Sequence, residues 1–181
     1  YLISAYFDEN TNKILKHLQQ RIADKTGNDF MIRNNVMPHL TISAIEARNV
    51  DVLIPAFEKV CRGKLQPLEE KSVANNTINI VSVGQLFPRV IYAAPVLNEY
   101  MMNLSISIYN EFATIPETNI SKFYQPYSWM PHITLGKCLD KEQMRQAFAV
   151  LQDLFMPIDG RITKIGLSMV NPYREVLSVE L

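Results

Sequence analysis

The sequence predicts an α+β fold built by internal duplication, and three observations carry that prediction. The order strand, helix, histidine-bearing strand, helix, hairpin occurs twice within 181 residues. The septet Met37-Pro38-His39-Leu40-Thr41-Ile42-Ser43 is answered by Met130-Pro131-His132-Ile133-Thr134-Leu135-Gly136, with the two histidines 93 residues apart (132 minus 39), about half the chain. Helices interleaved with hairpin-linked strands, finally, describe antiparallel sheets with helices packed on them, not a doubly wound parallel sheet. The expected architecture is one domain, 1–181, of two such lobes, with pseudo-repeats over approximately 1–85 and 86–181. A composition that is 48% hydrophobic and 20% charged is enough to bury a full core at this length.

Leu2 to Phe7 is a short apolar and aromatic run that reads as a strand, handed by Asp8-Glu9-Asn10 to a capped helix. Ile14, Leu15, Leu18 and Ile22 form one helical stripe, and Gly27 is placed to end it. His17 falls off the stripe and reads as a surface histidine. Asn28 to Val36, with Phe30, Met31 and Arg33, is a polar connection into the first septet. Beyond it, Asp51 is expected to cap a helix bearing Val52, Ala56, Phe57 and Val60, with Pro55 in its first turn and Gly63 at its end. Leu65 to Ala74 and Thr77 to Val83 then read as a hairpin turning at Asn75-Asn76.

Phe87 to Ala94 is expected to be a buried strand that opens the second half. Pro95 suits the first turn of a helix with Leu97, Met101, Leu104 and Ile108 on one face, ending before Pro116. Glu117 to Trp129 is a longer irregular segment of the kind that often forms a binding loop. After the second septet, Asp140-Lys141-Glu142-Gln143 spells a capping box for a helix carrying Met144, Ala147, Phe148 and Leu151. Gly160 to Val170 and Glu175 to Leu181 close the chain as a hairpin around Asn171-Pro172. Pro67 and Pro157 follow their motif histidines at 28 and 25 residues.

Each septet reads as a strand entered through a proline, which fixes φ and donates no backbone hydrogen bond. Side chains of a strand alternate with period two. His39, Thr41 and Ser43 are therefore expected on one face and Leu40, Ile42 and Ala44 on the other. In the second copy His132, Thr134 and Gly136 share a face, with Ile133 and Leu135 turned to a core.

Lys+Arg and Asp+Glu number 18 each, so no global field attracts a long polyanion and any nucleic-acid contact is expected to be local and short. No run of about 18 apolar residues is present and no signal peptide precedes the first strand, so neither membrane insertion nor export is expected. Cys61 and Cys138 are too few and too isolated for a disulfide framework or a zinc knuckle. The setting is read as reducing and cytoplasmic.

The paired His-x-Thr motifs resemble those of the two-histidine phosphoesterase superfamily, which includes the 2′-5′ RNA ligase-like proteins and the cyclic nucleotide phosphodiesterases. The resemblance spans nearly the whole chain, with weaker matches at Phe87-Pro88-Arg89-Val90-Ile91-Tyr92 and Pro172-Tyr173-Arg174-Glu175-Val176-Leu177. It implies two lobes facing each other across an active-site groove, each lining it with one His-x-Thr strand. It also implies that His39, Thr41, His132 and Thr134 are catalytic.

The chemistry suits those residue types. Cleaving a phosphodiester or cyclic phosphate needs a base for the attacking oxygen and an acid for the departing one, and two imidazoles titrating near neutrality supply both. Each threonine, about 7 Å along the same face, can donate to a non-bridging phosphate oxygen. The substrate so implied is a short RNA terminus or small nucleotide with a 2′,3′-cyclic phosphate or a 2′-5′ linkage, processed without metal or other cofactor. The resemblance does not say which histidine is the acid.

Arg33 and Arg89 are candidates for substrate binding, as Lys122 and Arg174 are for contact with phosphate, against the simpler reading of solvated surface charges. Tyr124, Tyr127 and Trp129 lead into the second motif and are candidates for stacking on a base, core packing being the competing account of Trp129. A metal site is the rival use of paired histidines. The ligand inventory is against it, with no His-x-His, no His-Glu-x-x-His and no carboxylate in either septet. A non-catalytic nucleotide or RNA-end binding module on the same scaffold is the alternative function, although binding alone does not require two matched acid-base groups.

Overall fold

The structure, a computed structural model, describes residues 1–65, 76–170 and 173–181. It is α+β, with an antiparallel sheet and five α-helices among the described residues. In chain order these are β1 (Leu2–Phe7), α1 (Glu9–Thr26), α2 (Phe30–Arg33), β2 (Leu40–Glu46), α3 (Ile54–Leu65), β3 (Thr77–Leu86), β4 (Val90–Pro95), α4 (Glu99–Phe112), β5 (Asn119–Ile120), β6 (Ile133–Gly136), α5 (Lys141–Leu154), β7 (Ile158–Met169) and β8 (Arg174–Glu180). No helix among the described residues is long and apolar enough to cross a membrane.

The helix ends follow local chemistry. Asp8 caps α1, and Gly27 closes it in the left-handed conformation at φ 68° that a residue without Cβ adopts freely. Asp140 and Gln143 form the complete capping box of α5. The apolar stripes then bury: Leu15, Leu18 and Ile22 of α1, Phe57 and Val60 of α3, Met101, Leu104 and Ile108 of α4, Met144, Ala147 and Leu151 of α5. His17 is exposed on α1.

Several sequence expectations are corrected. Asp51 does not cap α3, because Asp51 and Val52 lie in a preceding turn and the helix begins at Ile54; it runs past Gly63 to Leu65. Leu65 is thus helical, and the rest of the expected Leu65 to Ala74 strand lies outside the described residues. Phe87-Pro88-Arg89 is not strand but the turn joining β3 to β4, which makes those two the hairpin. Pro95 ends β4 instead of opening a helix, since its missing N–H is harmless at a strand terminus. The true cap of α4 is Asn98, whose side chain accepts from the Met101 N–H at 2.9 Å. Leu97 is accordingly left outside the helix. Glu117 to Trp129 is less irregular than expected, since β5 pairs with β2 and Lys122–Tyr124 forms a 3₁₀ turn.

Strand pairings run in a circuit, β1-β2-β6-β4-β3-β7 and back to β1, with β8 also on β7. Elements of the two halves of the chain are exchanged around it. β3 comes from the first half yet pairs with β4, while β7 comes from the second half and pairs with β1. Helices do the same: α1 packs on β6, β7 and α5, and α4 packs on β2 and α3. One continuous core results, with Ile3, Leu40, Ile91, Ile133 and Leu167 each fully buried in it.

The Asp8 side chain also ties the start of α1 to the sheet. Its carboxylate accepts from the Thr11 N–H (2.9 Å), the Thr11 hydroxyl (2.7 Å) and the Arg161 N–H (2.7 Å). Burial raises its pKa, but these hydrogen bonds outweigh burial and hold it below the ordinary 3.8. A carboxylate lowered in the folded state stabilises above its unfolded pKa, and that contribution fades as pH falls through the carboxylate range. Asp8→Ala is therefore expected to cost about 0.5–2 kcal/mol in urea unfolding at pH 7, with the gap to wild type narrowing at pH ~3.

Candidate active site

The two septets meet in the sheet. β2 and β6 are antiparallel neighbours in register Leu40↔Ile133, both fully buried toward the helices. Residues on either side of this pair point to the opposite face. Continuing the register sets His39 across from Thr134 and Thr41 across from His132. Four side chains from sequence positions 93 residues apart thus share one patch of one face. The strands themselves begin one residue after each histidine, at Leu40 and Ile133.

Both imidazoles are held alike. His39 Nδ1 lies 2.7 Å from the Met37 carbonyl oxygen and His132 Nδ1 lies 3.0 Å from that of Met130. A carbonyl only accepts, so each Nδ1 carries the hydrogen and each Nε2 is the nitrogen available for proton transfer. The intervening Pro38 and Pro131 fix φ between carbonyl and ring. Burial pulls the His39 pKa below its ordinary 6.5; the bond to Met37 opposes this, and positive charge on His132 and on Lys137 lowers it further.

Each strand carries a bulge just after its threonine. In β2 the pairing with β1 passes from Ser4↔Thr41 to Ile3↔Ser43, leaving Ile42 as the extra residue. In β6 the pairing with β4 passes from Tyr92↔Thr134 to Ile91↔Gly136, leaving Leu135 extra. This corrects the expected faces of Ser43 and Gly136. Each is shifted to the core side, opposite Ile3 and Ile91. A Cβ at Gly136 would meet Ile91 Cγ2 at 3.0 Å and Leu139 Cδ1 at 3.2 Å, and the buried Ser43 hydroxyl has no hydrogen-bond partner among the described residues.

Side chains from elsewhere in the chain satisfy both threonine carbonyls beside the bulges. Trp129 Nε1 donates to the Thr41 oxygen at 3.0 Å, and Gln19 Nε2 donates to the Thr134 oxygen at 3.2 Å. Trp129 is only 6% exposed, so it supports the first motif from below and is not available to stack on a base. Gln19 is a buried polar residue of α1 that the sequence reading passed over. Its place on the apolar side of that helix is the signal that was available.

The other expected binding residues are dispersed. Arg33 is exposed on α2 and paired with Asp29 at 3.6 Å. Arg89 donates to the Cys138 oxygen (2.9 Å) and the Leu139 oxygen (3.3 Å), tying the β3–β4 turn to the loop after β6. Tyr124 is half-buried against the core, its hydroxyl pKa raised by burial. Tyr127 is exposed at φ 68°, and Lys122 sits 5.2 Å from the Phe123 ring centroid. Arg174 is exposed at the start of β8. Two tyrosines not singled out from sequence lie beside the imidazoles: Tyr6, with ring centroid 6.2 Å from His39, and Tyr92, 5.6 Å from His132 and edge-on. Tyr92 belongs to the Phe87–Tyr92 run, and Tyr173, from the second weaker match, reaches the Tyr6 hydroxyl at 3.1 Å.

A family model described as the 2′-5′ RNA ligase superfamily matches residues 15–170, a span that includes both septets, and the chain belongs to that superfamily. No curated protein matches the chain.

Trp129→Phe keeps the ring packing but removes the indole N–H that donates to the Thr41 carbonyl, so it is expected to destabilise by about 0.5–1.5 kcal/mol in urea unfolding. In an NMR titration His39 is expected to titrate below 6.5. Lys137→Gln should move that titration upward, because one of the charges opposing protonation is gone.

Proposed function

We propose that this member of the 2′-5′ RNA ligase superfamily is a metal-independent phosphodiesterase that opens 2′,3′-cyclic phosphates or cleaves 2′-5′ linkages in short RNA-like substrates, in a reducing, cytoplasmic setting. The observation that carries this reading is the Leu40↔Ile133 pairing, which sets two His-x-Thr pairs side by side. Each imidazole then offers Nε2, with Nδ1 engaged by a carbonyl.

In this mechanism His39, favoured as the neutral imidazole by its burial, takes the proton of the attacking water or ribose hydroxyl. His132 delivers a proton to the departing ribose oxygen as the P–O bond breaks. Positive charge on the His132 ring opposes protonation of His39. Thr41 and Thr134 donate to the non-bridging oxygens, where negative charge accumulates.

The test is a panel of 2′,3′-cyclic nucleotides and of 2′-5′ and 3′-5′ dinucleotides, with products resolved as 2′- or 3′-phosphates, in the presence of a strong chelator. Wild type should remain active. His39→Ala and His132→Ala should each lower kcat about 10²- to 10⁴-fold, the worth of one positioned acid or base. The double variant should lose far less than the product of the two, because both act on one transition state. Thr41→Val and Thr134→Val should cost about tenfold to a thousandfold. A folded histidine variant with near-wild-type kcat and pH profile would overturn the mechanism. A binding module would show no turnover in the wild type and only altered Kd in the variants.

A further inference from the structure

The two ends of the site are built differently, and the difference singles out one hydroxyl. Ser4 of β1 and Tyr92 of β4 hold equivalent positions, each paired with a motif threonine. The aromatic ring beside His39 comes instead from Tyr6, two residues further along β1. Its hydroxyl is already committed to Tyr173 at 3.1 Å, and Tyr6 is 8% exposed. The Lys164 ammonium covers its ring at 4.7 Å and is itself held by Glu175 at 3.1 Å. That end is a closed network.

Tyr92 is not so committed. Its ring stands 5.6 Å from His132, yet among the described residues its hydroxyl meets only the Met130 sulfur, at 3.9 Å. A thioether is a weak acceptor and leaves a phenol with both its donor and its acceptor capacity to spend. The side chain is half-buried, and Met130 beside it is 43% exposed. Room for the side chain comes from Gly84, its partner across the β3–β4 hairpin, where a Cβ would run into the Tyr92 hydroxyl oxygen and the ring carbon that bears it.

We propose that Tyr92 is a substrate-contacting residue whose hydroxyl hydrogen-bonds a ribose oxygen of the nucleoside on the His132 side of the phosphate, with Met130 as the apolar wall beside it. This assignment rests on the phosphodiesterase reading above. A nucleoside there has a planar base and an oxygen-rich sugar, which match an aromatic and thioether wall carrying one free hydroxyl.

The experiment compares wild type, Tyr92→Phe and Gly84→Ala, each checked for folding by circular dichroism. It measures kcat and KM on the best substrate of the panel, and Kd for adenosine 2′-monophosphate and 3′-monophosphate by calorimetry. Tyr92→Phe preserves the ring and removes only the hydroxyl. It should reduce kcat/KM about three- to tenfold, the worth of one neutral hydrogen bond, with the loss in KM and a matching rise in Kd for at least one nucleotide. Gly84→Ala, which displaces the ring, should lose at least as much. An active wild type whose Tyr92→Phe variant is unchanged in kcat, KM and both Kd values overturns the assignment and leaves the phosphodiesterase reading standing. A wild type that binds nucleotides without turnover overturns that reading, and the Kd comparison then decides Tyr92 by itself. A wild type that neither binds nor turns over overturns both.

Discussion

The contact on which the site depends is the pairing of Leu40 with Ile133. Both side chains are fully buried, and this burial decides where their neighbours point. A slip of one residue between β2 and β6 would turn the histidines and threonines into the core and the apolar residues out of it. Burying Leu40 and Ile133 together therefore selects the register that brings His39, Thr41, His132 and Thr134 to one face. The bulges at Ile42 and Leu135 turn each strand just past its threonine. Beside them Trp129 and Gln19 donate to the two threonine carbonyls, so support for each motif reaches in from a distant part of the chain.

Exchange of elements between the halves makes this support mutual. α1 lies on the strand of the second motif and α4 on the strand of the first. β3 and β7 are likewise traded across the circuit. Neither half can bury its apolar faces without the other, so the two motifs are positioned by one core and not by a linker. For acid-base chemistry this matters because two imidazoles must hold a fixed separation, and packed cores deform little.

Within that near-symmetric frame the surroundings are unequal. Both Nδ1 atoms are fixed in the same way by the carbonyl two residues back. Around them, His39 has the closed Tyr6, Tyr173, Lys164 and Glu175 network and feels Lys137, while His132 has Tyr92 and Met130. The two matching septets account for what the ends share. The residues next to them make the two ends chemically distinct.

What could be read from the residues in order was whatever short-range chemistry decides. The caps at Asp8 and Asp140, the stop at Gly27, the helical stripes and the two proline-led septets all depend on side chains within about one helical turn or one strand of each other, and they lie where the sequence put them. Apart from the ends of α3 and α4, the misreadings fall where a distant partner decides. Phe87-Pro88-Arg89 is apolar enough for a strand but becomes a turn because β3 pairs with β4. Ser43 and Gly136 change face because bulges form against β1 and β4. Trp129 looks like a stacking residue until Thr41 supplies a carbonyl 88 residues away. Tyr6 and Tyr92 acquire meaning only beside an imidazole that another strand delivers. The sequence by itself determined which groups are candidates for acid-base and donor chemistry, since that capacity of His and Thr is intrinsic to the residue. Their register across the sheet and their neighbours were decided only by the tertiary structure, because strand register, bulges and burial are set by contacts between residues far apart in the chain.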